Sequence, residues 1–133
     1  NNANYGTTGG QMAPTTLPGM RTTTSPTGRD PQTSGFPLHA AELAAFMPSV
    51  AYAARVTVHT PANFQKAKKA VTAAFQKQID GTGYGFVEFL SACPPNWGLT
   101  PTECLTFISE RMMAEYPLDV FKDVDHLDYP KVP

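Results

Sequence analysis

The stretch that decides the fold is AYAARVTVHTPANFQKAKKAVTAAFQKQIDGTGYGFVEFLSA, residues 51–92. Residues 51–59 are almost continuously apolar and include β-branched valines, which predicts a buried strand. Thr60-Pro61 follows as an N-cap with proline at the first helical position, and the helix extends to about residue 79. Residues 84–92 form a second apolar run whose length fits a strand. This succession predicts parallel strands joined by a crossover helix. The apolar face predicted for that helix by 3–4 spacing consists of Phe64, Ala67, Val71, Ala74 and Phe75.

Predicted helices lie on both sides of this unit. Residues 38–47 form the first and end before Pro48, and a capping box at Thr100-Pro101-Thr102-Glu103 starts another over residues 101–116. Because a parallel sheet needs more than two strands, we expect the rest of the sheet to lie upstream of this sequence. The predicted fold class is α/β, the C-terminal part of a three-layer αβα fold with a parallel sheet.

Composition limits the classes of function. The chain has 133 residues, 41% hydrophobic and 16% charged, with a net charge of −1. It therefore lacks the basic character of a nucleic-acid-binding domain, and no apolar run approaches the roughly 18 residues that span a bilayer. Two cysteines are too few for a secreted disulfide framework. We expect a cytoplasmic protein that binds neither nucleic acid nor membrane.

The chain is expected to form one domain over residues 1–118, followed by an extended C-terminal tail, residues 119–133. Within the domain, residues 6–37 are rich in Thr, Pro and Gly. A stretch with so few bulky apolar residues cannot build a core by itself. We therefore interpret residues 6–37 as an extended loop that contacts a cofactor or another subunit.

The first eleven residues, NNANYGTTGGQ, have the layout of a loop that leaves a strand, holds a phosphate and starts a helix. The glycines allow close approach of the backbone. The Asn2 side chain and the Asn4 carbonyl are oxygen ligands of the kind that Mg²⁺ prefers. The alternative is an Asn/Gly-rich turn without a ligand, which is the commoner origin of such a run.

Cys93 and Cys104 have different settings in the sequence. Cys93 follows an apolar strand and precedes proline, as cysteines around iron–sulfur clusters often do. Cys104 shares a helix face with Ile108 and Met112, which favours a role as a small buried apolar side chain. Two cysteines cannot supply the four thiolates of a cubane cluster. For a lone cysteine such as Cys93, burial as a small hydrophobe is the commoner reading.

Three further residues have competing readings. Arg55 and Glu88 lie inside the two predicted strands, and a structural ion pair across the sheet is favoured over catalysis because buried charges need partners. Arg29, at the end of the Thr-rich segment, could meet an anionic substrate or belong to an ordered interface loop. The second reading is favoured.

Four blocks carry a resemblance to a known family. In chain order they are NNANYGTTGGQ (residues 1–11), TTTSPTGR (22–29), AYAARV (51–56) and LSACPPNWG (90–98). Together they resemble the C-terminal part of the thiamine-diphosphate-binding β subunits of 2-oxoacid:ferredoxin oxidoreductases, over nearly the whole chain. The family's upstream Gly-Asp-Gly half of the cofactor motif is absent here. At position 7 the family commonly has a larger apolar residue in place of Thr7.

The resemblance implies an oxidoreductase that converts a 2-oxoacid to acyl-CoA, with ferredoxin as electron acceptor. The 2-oxoacid would be 2-oxoglutarate or a branched-chain acid, and the partners an α subunit, ferredoxin and coenzyme A in a hetero-oligomer. The implied cofactors are thiamine diphosphate, Mg²⁺ and a [4Fe–4S] cluster, with Cys93 as the fourth cluster ligand. The implied cofactor-binding residues are Asn2, Asn4, Tyr5, Gly6, Thr7, Thr8, Gly9 and Gly10.

No catalytic residue is assigned, because the family's activating glutamate lies on the partner subunit. Two alternatives stay open. One is a fragment of a non-oxidative thiamine-diphosphate decarboxylase resembling acetolactate synthase, which would have no use for Cys93. The other is a non-catalytic interaction fragment.

Overall fold

The computed structural model describes residues 1–128. The helices and strands in chain order are α1 (Pro31–Ser34), α2 (Ala40–Phe46), β1 (Val50–Thr57), α3 (Pro61–Ile79), β2 (Tyr84–Leu90), α4 (Pro94–Trp97), α5 (Pro101–Phe107), α6 (Met113–Glu115) and β3 (Asp119–Asp123). A 3-10 turn at Gly6–Thr8 precedes them, and a π-helical turn at Ile108–Met112 joins α5 to α6. The described part of the chain divides into two compact units, residues 1–39 with 90–117 and residues 40–89 with 118–128.

The sheet belongs to the second unit, and its strand order is β2-β1-β3. The starts of β1 and β2 lie side by side, since the N–H of Tyr84 donates to the carbonyl of Ser49 at 2.9 Å. These strands therefore run parallel and α3 connects them, which confirms the predicted α/β class. β3 runs antiparallel to β1, with an irregular register between Ala53 and Ala54.

β3 is an element that the sequence did not predict. It occupies residues 119–123 of the predicted tail, while residues 129–133 of that tail lie outside the described residues. Its sequence, DVFKD, is short and carries three charges. Such a strand suits the edge of a sheet, where charge discourages further pairing, and it lacks the apolar alternation by which strands are predicted.

Small side chains form most of the core of this unit. All eight residues of β1 are buried. On one face of the sheet α3 contributes Ala67, Ala70 and Ala74 to a cluster with Tyr52, Ala54 and Val56. Because alanine and glycine allow close approach, an added Cβ at Gly85 would lie only 2.8 Å from the carbonyl oxygen of Ala74.

The predicted apolar face of α3 was wrong in part. Ala67 and Ala74 are buried as expected, but Phe64 and Phe75 are 52% and 62% exposed. Ala70, which was not predicted, takes a core position. The reason is steric, since a close helix–strand packing selects alanines and turns the larger phenylalanines outward.

A buried ion-pair network joins the sheet to α2. Nε of Arg55 donates to Oε2 of Glu88 at 2.8 Å, which confirms the predicted pair, and Nη1 donates to Oε1 of Glu42 at 2.8 Å. Nη2 of Arg55 donates to the second oxygen of Glu42. The Phe121 ring on β3 lies 5.1 Å from the guanidinium carbon. Burial alone would lower the pKa of Arg55, but the hydrogen bonds to Glu42 and Glu88 outweigh it and raise that pKa.

The other unit is organised around Arg29, whose side chain is buried within the Thr/Pro/Gly-rich segment. Its guanidinium donates to six backbone carbonyls at 2.8–3.2 Å, those of Ala13, Pro14, Thr16, Ser34, Gly35 and Phe36. All of its N–H groups are therefore used within the segment. This arrangement supports the structural reading of Arg29 and leaves no donor for an anionic substrate.

The last predicted helix also lies in this unit. It begins at the predicted capping box, where the N–H of Thr100 donates to Glu103 at 2.8 Å and the N–H of Glu103 donates to Oγ1 of Thr100 at 3.3 Å. Helical structure then continues through the π-helical turn to Glu115. Cys104, Ile108 and Met112 are all buried, as their shared face predicted.

Candidate functional site

The first eleven residues fold back on themselves as a closed loop. The N–H of Tyr5 donates to the carbonyl of Gln11 at 3.0 Å, and the N–H of Gly10 donates to the carbonyl of Tyr5 at 2.9 Å. Gly9 and Gly10 have φ angles of +117° and +76°, which suit glycine and let the chain reverse there. The loop starts beside the end of a strand, because the N–H of Ser91 donates to the carbonyl of Asn1 at 2.9 Å. Ligands of α/β folds commonly bind where the chain leaves the carboxyl end of a strand.

Asn4 carries a buried side-chain oxygen that lacks a hydrogen-bond partner. It is only 6% exposed, and its Oδ1 is the one buried side-chain nitrogen or oxygen within residues 1–128 that has no hydrogen-bond partner. An unpaired buried carbonyl costs about 1–3 kcal/mol. Such atoms in native structures call for an explanation, and a ligand that binds there is one.

The backbone before Asn4 is fixed in a conformation that few residues adopt. Ala3 has a φ of +57°, in the left-handed region, and is fully buried. Its N–H donates to Oδ1 of Asn1 at 3.0 Å, and its carbonyl accepts from Oγ1 of Thr16 at 2.6 Å. These bonds hold the strained residue and so set the direction of the Asn4 side chain.

Three side chains meet at Gly6. A Cβ added to this glycine would lie 2.9 Å from Sγ of Cys93, 3.0 Å from Nδ2 of Asn2 and 3.3 Å from Oδ1 of Asn4. The structure therefore brings together three of the predicted ligand residues, although Cys93 lies far from the asparagines in sequence. We call Asn2, Asn4, Gly6, Cys93 and Asn96 the asparagine cluster.

Side chains of helix α4 donate hydrogen bonds to residues of this cluster. Nδ2 of Asn96 donates to the carbonyl of Gly6 and to Sγ of Cys93, both at 3.1 Å. Nε1 of Trp97 donates to the carbonyl of Asn2 at 2.9 Å, and the Trp97 ring packs at 4.6 Å on that of Phe107. Trp97 thus anchors the loop.

Four of the five remaining predicted cofactor-binding residues lie on the outer side of the loop. Tyr5, Thr7, Thr8 and Gly9 are exposed, and Gly10 is buried. The Thr8 hydroxyl donates to Oε1 of Gln11 at 2.8 Å, and Nε2 of Gln11 donates back to the Thr8 carbonyl at 2.7 Å. These four residues are therefore accessible to a ligand from solvent, whereas Asn4 and Gly10 face the interior.

The two cysteines differ as the sequence suggested. Cys93 is half-buried and Cys104 fully buried, and both are free thiols. Burial raises the pKa of the Cys104 thiol, and the nearby Cys93 and Glu103 raise it further. Cys104 is thus kept protonated and apolar, and only Cys93 reaches the cluster.

Sequence reasoning missed Asn96 and the side chain of Asn4. Asn4 was expected to act through its backbone carbonyl, and nothing in the sequence marks a carboxamide that will be buried without a partner. Asn96 lies three residues after Cys93, a spacing that places two side chains on one side of a helical turn. That spacing was the available signal.

The donors of the asparagine cluster fit a Mg²⁺–diphosphate group in part. Carboxamide and carbonyl oxygens are ligands that Mg²⁺ accepts, and Oδ1 of Asn4 is free to serve. For an iron–sulfur cluster the site offers one sulfur ligand, that of Cys93. Within residues 1–128 no group of three or more His, Cys, Asp or Glu side chains could hold a metal ion. The described residues thus offer part of each ligand set.

Comparisons with known proteins identify relatives but no family model or solved structure. The ketoisovalerate oxidoreductase subunit VorA of Methanothermobacter thermautotrophicus is 45% identical over 123 residues, 92% of this chain. The VorA subunit of Methanothermobacter marburgensis is 46% identical over the same share. The 2-oxoglutarate synthase subunit KorB of Archaeoglobus fulgidus is 36% identical over 94% of the chain. No family model matches the sequence, and no solved structure does.

The chain spans 26% of the length of the VorA subunits and 43% of the length of KorB. None of the helices within residues 1–128 is both long and apolar enough to cross a membrane. Because the aligned region covers almost the whole chain, the resemblance to 2-oxoacid oxidoreductases is confirmed: the chain is homologous to a segment of 2-oxoacid oxidoreductase subunits.

Proposed function

We propose that this chain is the part of a 2-oxoacid:ferredoxin oxidoreductase subunit that anchors thiamine diphosphate and contributes one ligand to a [4Fe–4S] cluster. The subunit would be the thiamine-binding one, the β subunit of the family, acting with an α subunit, coenzyme A and ferredoxin. The overall reaction is oxidative decarboxylation of a 2-oxoacid to acyl-CoA. The names of the relatives, one a ketoisovalerate oxidoreductase and the other a 2-oxoglutarate synthase, support this class of reaction.

The observation that carries the proposal is the position of Cys93 against the loop of residues 1–11. Its sulfur lies 2.9 Å from the Cβ position of Gly6, beside the amides of Asn2 and Asn4. Oxygen ligands and a thiol in one place suit an enzyme that joins thiamine chemistry to electron transfer. A non-oxidative thiamine enzyme has no use for that thiol.

Each residue then has a role that follows from its position. Asn2 and Asn4 would hold Mg²⁺ by oxygen, and the glycines let the loop backbone approach a diphosphate. The exposed side chains of Tyr5, Thr7 and Thr8 would line the approach to the cofactor. Cys93 would bind iron through its thiolate. When bound, thiamine diphosphate supplies the electron sink for decarboxylation and the cluster accepts electrons singly.

The identity with VorA, higher than that with KorB, favours a branched-chain 2-oxoacid over 2-oxoglutarate. The test is an assay of the full-length protein with its partner subunits. Ferredoxin reduction should depend on 2-oxoisovalerate, coenzyme A and thiamine diphosphate, and 2-oxoglutarate should be the poorer substrate.

Two variants link this assay to the asparagine cluster. Asn2→Ala should weaken thiamine diphosphate binding at limiting Mg²⁺, while Asn63→Ala on helix α3 should leave it unchanged. Decarboxylation without any ferredoxin reduction would instead indicate the non-oxidative alternative. A complex that binds no thiamine diphosphate would indicate a non-catalytic fragment.

A further inference from the structure

One side chain, that of Asn96, contacts both the loop of residues 1–11 and the sulfur of Cys93. Its Nδ2 lies 3.1 Å from the Gly6 carbonyl oxygen and 3.1 Å from Sγ of Cys93. The carbonyl of Gly6 can only accept a hydrogen bond, so the atom that faces it must be the amide nitrogen. The two N–H groups of one carboxamide therefore connect the loop to the thiol.

The oxygen of the same carboxamide lies close to the Gly10 backbone. A Cβ added at Gly10 would lie 2.5 Å from Oδ1 of Asn96. The amide thus fits between the Gly10 backbone on one side and Gly6 with Cys93 on the other. It has little freedom to rotate, and its two donors stay directed at their acceptors.

The backbone that carries Asn96 is also rigid. Helix α4 is one turn long, with Cys93 at its N-cap and prolines at its first two positions, which fix φ. The N–H of Trp97 donates to the carbonyl of Cys93 at 2.9 Å, and Gly98, with a φ of +66°, ends the turn. The placement of Asn96 over Cys93 therefore follows from the geometry of the turn.

We propose that Asn96 is a positioning residue that couples the cofactor loop to the iron–sulfur cluster. This rests on the proposed function, in which Cys93 is a cluster ligand. Hydrogen bonds to cluster sulfurs favour the reduced, more negative state and so raise the reduction potential. Through its bond to Gly6, the same amide fixes the loop relative to Cys93.

The experiment measures the reduction potential of the cluster in the complete enzyme by paramagnetic resonance at controlled potentials. Asn96→Leu has nearly the shape of asparagine but no donor. It should lower the potential, so that the oxidised-to-reduced ratio at a fixed potential rises by about tenfold, or about 59 mV for a one-electron couple. Asn96→Ala, which removes the whole amide and leaves no side-chain donor, should shift the ratio in the same direction and serves if Asn96→Leu does not assemble.

Trp97→Phe is the matched control. It removes the bond to the Asn2 carbonyl, the other anchor of the loop, but leaves the donor to Cys93 in place. If these substitutions acted only by loosening the loop, Trp97→Phe and the Asn96 variants would shift the reduction potential equally. The proposed coupling predicts a shift in the Asn96 variants alone.

The outcomes separate this inference from the proposed function. If Cys93→Ser leaves the cluster spectrum unchanged, Cys93 is not a ligand and the proposed function loses its cluster assignment. If Cys93→Ser removes or alters the spectrum but the Asn96 variants keep the wild-type potential, only the role of Asn96 is wrong. If Trp97→Phe shifts the reduction potential as much as the Asn96 variants do, the role of Asn96 is also wrong.

Discussion

At the scale of single residues, the asparagine cluster contains an atom that costs stability in the absence of a ligand. Oδ1 of Asn4 is buried without a partner, and its direction is set by the left-handed Ala3 before it. Groups that are unfavourable for stability but precisely placed are typical of binding sites. We interpret the unpaired oxygen of Asn4 as prepared for a ligand, and removing that oxygen tests the interpretation.

Asn4→Leu should stabilise the cofactor-free chain and weaken cofactor binding in the complete enzyme. Leucine matches asparagine in shape but has no polar atom to leave unpaired, so the free energy of unfolding should rise by about 1 kcal/mol. Urea unfolding of the chain and calorimetric titration of the enzyme with thiamine diphosphate and Mg²⁺ measure the two effects. A less stable variant with unchanged cofactor affinity would contradict the reading.

The sequence predicted some of these residues and not others, for physical reasons. Gly6 was singled out as one of the glycines of a phosphate-binding-like loop, and Cys93 by the family resemblance of its sequence block, because a lone cysteine is more often a small buried hydrophobe. Asn96 was not, because its importance comes from the Gly6 carbonyl, 90 positions away in the chain. Arg29 shows the same limit, since six carbonyls surround it only after the segment has folded.

At the scale of helices and strands, local sequence signals were sufficient to predict the ends of helices, which depend on short-range contacts. The ends of α3 and the start of α5 were predicted from proline and capping residues, and the structure has them at Pro61, Ile79 and Pro101. The strands that pair with β1 were harder to predict from the sequence, because pairing with β3 is a long-range contact that depends on the whole sheet. Phe64 and Phe75 of α3 were predicted to be buried but are exposed. The close packing of α3 on the sheet has room for alanine but not for the larger phenylalanine.

The capping box of α5 predicts a specific dependence of stability on pH. Hydrogen bonds from the backbone and then the side chain of Thr100 lower the pKa of Glu103. A lowered folded pKa means that this contribution is fully present above the unfolded pKa, about 4.3. It is lost as pH falls through the folded value.

Glu103→Gln keeps a side chain that can complete the box but removes its charge. The variant should therefore lose less stability than the wild type between about pH 6 and about pH 3. Thermal unfolding at several pH values checks this, with Glu110→Gln on the same helical segment as control. Parallel curves for Glu103→Gln and the wild type would show that the charge contributes nothing.

The network of Arg55 predicts a large loss of stability from one substitution. Its side chain is fully buried and that of Glu88 is 5% exposed. Arg55→Met should remove the cation that pairs with the buried Glu88 carboxylate and lower the free energy of unfolding by about 3–5 kcal/mol. Urea unfolding measures it, with the exposed Lys68→Met as control. A loss similar to that of the control would mean that the pair is not a structural anchor.

At the scale of the whole molecule, the chain holds only part of each ligand set. Its relatives are two to four times longer, and within residues 1–128 no cluster of three metal-binding side chains is present. The asparagine cluster offers Mg²⁺ neutral oxygens, which bind a hard cation less strongly than carboxylates do. We therefore expect that the 133-residue chain alone binds thiamine diphosphate with Mg²⁺ more weakly than micromolar. Calorimetry decides this, and micromolar binding would show that the cluster is sufficient by itself.

The measurement that tests the account most directly is paramagnetic resonance of the complete enzyme with each cysteine replaced in turn. Cys93→Ser should remove or shift the signal of the reduced cluster and stop ferredoxin reduction, because Cys93 is the proposed iron ligand. Cys104→Ala should keep that signal and lower the free energy of unfolding by about 1 kcal/mol, because Cys104 is a buried apolar group. A normal reduced-cluster spectrum and full ferredoxin reduction in Cys93→Ser would contradict the account.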